Sequence, residues 1–255
     1  MKRIVALLCV VALLLAFPLS TALAEAGGDY EMPFTDIGWL DEEYYSAIVF
    51  LYFNNMMNGT SDTTFSPTAD YTRAMFVTML GRMDDAGKAY AEMIDAFYPE
   101  TADTPFSDVP AGRWDAPYVS WAADNGIVNG VGDGKFNPTG TITVEQFAAI
   151  VMRYMNFKGY TLKWSMANNK GWPRTIEDMD TVSAWAKESV KAMADAGLML
   201  YERTATGIKI NPKHGLTRME IARLFVNIYQ VCRSQKQFGV DIDTPWGTLE
   251  TWVEG

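Results

Sequence analysis

The sequence is short of the residues most often used for chemistry. Its 255 residues include two cysteines and one histidine. Cys9 lies in an apolar N-terminal run, so Cys232 alone is expected to survive processing. One cysteine builds neither an intramolecular disulfide nor a metal cluster, and Cys232 reads as a buried apolar residue on the last helix. His214 has no Cys or His neighbour and reads as a loop residue, not a ligand or base. No nucleophile–base set stands out, so no catalytic residue, metal or cofactor is expected. Basic residues are scarce too, 21 against 31 acidic. That balance disfavours nucleic acid and anionic membranes as partners.

Long apolar runs are also lacking. The one candidate, residues 4–17, follows Lys2 and Arg3 and precedes the small-x-small stretch Ala22, Leu23, Ala24. It is too short to span a bilayer and reads as a secretory signal peptide cleaved near Ala24. Cleavage leaves 19 basic against 31 acidic residues, a net charge of about −12. The mature chain is expected to be exported, without membrane insertion.

What is present is a repeat. Phe106-Ser107-Asp108-Val109 precedes a helix led by Trp114, which Asn125-Gly126-Ile127-Val128-Asn129-Gly130 stops. A loop through Gly132-Asp133-Gly134-Lys135-Phe136-Asn137-Pro138 follows, and Thr143 opens a second helix. Phe34 and Ile176 begin similar units. Gly126 lies 71 residues before Gly197, and Trp114 lies 71 before Trp185. Equal spacing of one supersecondary unit marks a repeat in which no single unit buries its apolar face alone. The expected order is signal peptide 1–24, leader 25–33, repeats 34–83, 106–157 and 176–232, a helical linker 84–105, a connection 158–175 and a tail 233–255.

The second helices open with Thr72-Arg73-Ala74-Met75, Thr143-Val144-Glu145-Gln146 and Thr217-Arg218-Met219-Glu220. Each Thr is a good N-cap, contributing about 1 kcal/mol. Gln146 and Glu220 complete capping boxes, whereas Met75 breaks one. Arg73 and Arg218 sit in first turns, against the helix dipole. They point to an anion to be held, with chance or a carboxylate partner inside the fold as the alternatives. Gly126, Gly130 and Gly197 suit left-handed caps or turns, and Gly132 and Gly134 tight turning. Gly132-Asp133-Gly134 lacks the alternating acids of an EF-hand, so calcium is excluded there. Trp114 and Trp185 are either core residues or flat platforms for a sugar ring. Asp36, Asp108 and Asp178 cap or brace turns.

This pattern resembles the S-layer homology (SLH) domain, in three copies over roughly residues 34–230. The resemblance implies a mainly α fold, three helix–loop–helix repeats forming a pseudo-threefold bundle with prongs. It also implies non-covalent anchoring to a secondary cell-wall polysaccharide, often pyruvylated, or to a peptidoglycan-linked glycan, in grooves between repeats. The family's groove Arg maps onto Arg73 and Arg218, which suits a carboxylate. The candidate ligand-binding set is therefore Arg73, Arg218, Trp114, Trp185, Asp36, Asp108, Gly130, Gly132, Gly134 and Glu220. Departures are Val144 in place of Arg, Glu43 at the Trp position with Trp39 nearby, Met75 in place of Glu, and 202–207 in place of Gly-Asp-Gly. Such modules usually tether a passenger domain; none is read here, so a wall-surface adaptor or minor surface-layer component is expected. The alternatives are an interaction scaffold for another surface protein and, on weaker grounds, a wall-active enzyme.

Overall fold

A computed structural model describes residues 32–84, 87–89, 92, 104–162 and 175–238. The expected signal peptide, nearly all of the leader, most of the 84–105 linker and most of the 158–175 connection lie outside the described residues, as does the tail beyond 238. The described chain is mainly α, with one short pair of strands. It divides into two compact units, residues 1–67 and 68–255. The division falls inside the first expected repeat.

The first unit carries α1, Glu42–Phe53. Asp41 caps it by accepting the Tyr44 N–H at 3.2 Å. Ala47, Ile48, Val49, Phe50 and Leu51 are buried. Phe34 meets Tyr52 edge-on at 5.0 Å and Phe65 at 5.6 Å, fastening the start of the unit to its closing loop.

The second unit carries α2 (Arg73–Met83), α3 (Ala116–Asp124), α4 (Val144–Lys158), α5 (Lys187–Asp195) and α6 (Arg218–Phe238). The sequence places Trp114 and Trp185 at helix starts. Trp114 lies two residues before α3, and Trp185 lies in a 3-10 turn, Ala184–Ala186, that runs into α5. The longer loop of the third expected repeat contains the antiparallel pair β1 (Glu202–Arg203) and β2 (Ile208–Lys209). Gly126 and Gly197 adopt left-handed φ of 65° and 68°, as expected after a helix.

Three helix openings meet in a closed ring. Tyr71 N–H donates to Leu216 O at 2.9 Å, Leu216 N–H to Ile142 O at 2.8 Å, and Ile142 N–H to Tyr71 O at 2.9 Å. The first amide of each helix then reaches the neighbouring strip: Arg73 to Gly140, Val144 to His214, Arg218 to Ala69. These bonds satisfy donors that a helix start leaves without partners. Thr72 and Thr143 cap as expected, and Gln146 closes the box. Below the ring, Phe76 packs on Phe147 in a tilted pair at 5.1 Å and meets Phe225 edge-on at 6.2 Å, joining α2, α4 and α6 in a buried core. Cys232 is buried on α6.

At the far end of α2, Asp84 is buried and accepts from Tyr154 at 2.9 Å, Lys158 at 2.8 Å and the Gly87 amide at 3.1 Å. Burial pushes its carboxyl up, but bonds from Lys158, Tyr154 and Gly87 outweigh that and hold it below the ordinary 3.8. A depressed folded value means the stabilisation is complete above the unfolded value and disappears as pH falls through the folded one. Asp84→Asn is expected to cost about 2 kcal/mol at neutral pH and to flatten the acid limb of stability. Urea midpoints measured from pH 7 down to pH 3 check this.

Candidate functional site

The conserved geometry within this chain is an aspartate clamp. Asp108 accepts from the Phe136 and Asn137 amides, both at 2.8 Å. Asp36 does the same for Phe65 and Ser66, at 2.8 and 2.7 Å. Asp178 accepts from Ile210 and Asn211. In each case the second amide belongs to a residue of positive φ (Ser66 58°, Asn137 60°, Asn211 49°) that precedes a proline. Left-handed backbone before proline is costly, and the carboxylate holds it. Burial raises the Asp108 carboxyl, but the two amides outweigh it and the net value is below the ordinary one. The three aspartates therefore brace turns.

The glycines serve the same loop. A Cβ on Gly130 would lie 2.5 Å from the Lys135 carbonyl oxygen, so only glycine lets the loop close. Gly132 and Gly134 have φ of 116° and 64°, which favour glycine.

Arg73 is turned inward, only 4% exposed. Its Nε donates to the Phe136 carbonyl at 2.9 Å and its Nη2 to that of Asn129 at 3.4 Å. Its guanidinium lies 4.6 Å from the centre of the Phe136 ring. Among the described residues it forms no ion pair. Burial, then the neighbouring Arg153 cation, lowers its pKa to about 10, with Asp108 working the other way. It therefore stays charged at neutral pH. Arg218 is 6% exposed and lies 5.9 Å from the Tyr71 ring centre. Burial raises the Tyr71 hydroxyl to about 12 despite the Arg218 and Arg82 charges. Both arginines thus oppose the dipole in buried settings, with the first helical amides already spent on backbone carbonyls.

Trp114 and Trp185 are not core. They are 57% and 55% exposed, while Trp121 on α3 is buried. Glu220 closes the α6 capping box, accepting from Thr217 N–H at 2.8 Å and contacting His214 Nε2 at 3.1 Å.

Five side chains that the repeat motif does not mark form two polar clusters, one at Arg113 and one at Ser183. Arg113 binds the buried Asp115 through Nε and Nη2, at 2.8 and 3.0 Å; that bond raises the Arg113 pKa. Lys213 Nζ donates to Glu145 at 2.6 Å and to Ser183 Oγ at 2.6 Å. Glu145 is buried and also accepts from the Ser183 N–H at 2.9 Å and hydroxyl at 3.0 Å. One signal was available: Glu145 is charged where the other openings have Ala74 and Met219. Among the described residues no group of His, Cys, Asp and Glu is placed to hold a metal.

Residues 105–148, the stretch that contains Asp108, Trp114, the glycine loop and the Thr143 cap, match the S-layer homology domain model. The chain contains an S-layer homology domain. Relatives carry related sequence in larger proteins. A cell surface protein from Thermoanaerobacter kivui is 32% identical over 62% of this chain and 19% of its own length. An endoglucanase from Bacillus sp. (strain KSM-635) is 28% identical over 88% of this chain and 22% of its own length. The S-layer protein sap of Bacillus anthracis is 24% identical over 76% and 20%. The match with each of these relatives thus spans about a fifth of the relative's length. No helix among the described residues is long and apolar enough to cross a membrane.

Proposed function

We propose that the chain is a non-catalytic cell-surface module of three SLH repeats that anchors to a cell-wall polysaccharide, with sugar rings lying on the indoles of Trp114 and Trp185. The observation that carries this reading is the exposure of two equivalent tryptophans beside clamped loops. Leaving two large aromatics in water forfeits burial energy, and an indole face suits the C–H face of a sugar. An acidic, pyruvate-bearing glycan is the proposed ligand class. The buried Arg73 charge lies behind the second repeat's loop and supports that choice at short range, whatever the net charge of the chain.

Val144 favours a second reading. It is buried where the other openings carry Arg, so a scaffold for another surface protein is the alternative for that repeat. Sedimentation with purified walls separates the two. The protein is expected to pellet with native walls and to stay in solution when hydrofluoric acid has stripped their polysaccharide. Equal pelleting with both would move the ligand to peptidoglycan. Failure to pellet with native walls would favour the scaffold.

A further inference from the structure

Of the three exposed tryptophans described, Trp39, Trp114 and Trp185, the last two lie close in the chain to a cation anchored to a buried carboxylate, or to a residue that binds one. In the second repeat Arg113 adjoins Trp114 in the chain and is held by Asp115. In the third, Lys213 is held by Glu145 and by Ser183, which lies two residues before Trp185. The two arrangements are built from different parts. Asp115 is supplied from within its own repeat, whereas Glu145 comes from the opening of α4. Arriving twice at a tethered cation beside an indole, from non-equivalent residues, points to a shared task.

The buried arginine is poorly placed for that task. Arg73 has Nε and Nη2 committed to main-chain carbonyls and one face on Phe136. The tethered cations have donors to spare. Two of the three Lys213 N–H groups are used, and its side chain is 56% exposed. Arg113 Nη1 has no partner among the described residues, and its side chain is 30% exposed. Fixing a long cation in place before binding reduces the entropy lost when it meets a ligand.

We infer that Arg113 and Lys213 are the ligand-gripping cations of these two sites, each donating to an acceptor oxygen of a sugar whose ring lies on the adjacent tryptophan. This rests on the anchoring reading above and names the residues that set its specificity. The site at Trp185 thereby replaces the arginine that Val144 removes. Because each cation is neutralised by its carboxylate, the contact is a directed hydrogen bond more than a field, and its salt dependence is shallow.

The test uses the whole chain and polysaccharide extracted from native walls, immobilised for equilibrium binding. Lys213→Gln alone would leave the buried Glu145 carboxylate without its cation, so it is combined with Glu145→Gln, and melting temperatures establish that each variant is folded. Arg113→Gln alone would strand the Asp115 charge, so it is combined with Asp115→Asn. Each variant is expected to bind roughly tenfold more weakly, and Lys213→Arg to bind as wild type. Wild-type affinity in both variants, with Trp185→Ala impaired, would overturn the assignment of the cations and leave anchoring intact. Absence of binding by the wild type would overturn both.

Discussion

Asp108→Ala should lower the unfolding free energy of the second unit by about 3 kcal/mol. The carboxylate accepts two short, charge-assisted bonds, and one donor, the Phe136 amide, belongs to a residue with no exposed surface. Removing it leaves that donor without its partner and releases Asn137 from a left-handed conformation ahead of Pro138. The damage extends further, because the Phe136 carbonyl and ring are what Arg73 rests on. Arg73→Met should therefore be non-additive with Asp108→Ala by about 1 kcal/mol, since both act through one loop. Denaturant midpoints for the two single variants and the double variant check it. Additive losses would mean that clamp and guanidinium act independently.

The second large effect is expected on binding. Trp114→Ala combined with Trp185→Ala should weaken attachment to native walls about a hundredfold, as loss of one aromatic platform from each of two linked sites does. Stability should barely move, because neither side chain is part of the core. That contrast separates a binding role from a packing role. Trp121→Ala should behave in the opposite sense, since its ring is buried against Tyr154 and Phe157.

Local chemistry was readable from the sequence, and long-range pairing was not. The threonine caps, the glutamine box and the left-handed glycines depend on neighbours a few residues away, and single-residue logic reached them; it reached the aspartates as turn braces but not their partners, 28 to 33 residues on. Arg73 shows where that logic stops. A cation in a first turn is unfavourable beside free amides, yet the Arg73 and Ala74 amides donate to Gly140 and Pro138. The dipole end is already satisfied from 60-odd residues away. The guanidinium then turns to the Phe136 and Asn129 carbonyls and the Phe136 ring, which the opening motif alone does not encode. Glu145 and Lys213 were invisible for the same reason, being 68 residues apart. Helical spacing alone does not separate a core indole from an exposed one; the structure leaves Trp114 and Trp185 outside the core. The short β1–β2 pair escaped notice because two residues per strand carry no alternation to read.

The central claim, that sugar lies on two exposed indoles, is tested most directly by the indole N–H signals of the protein during titration with polysaccharide released from native walls. The account predicts saturable shifts for Trp114 and Trp185, at one common midpoint or two, with the buried Trp121 unmoved. Shifts confined to other tryptophans, or none at all while the protein still pellets with walls, would contradict it.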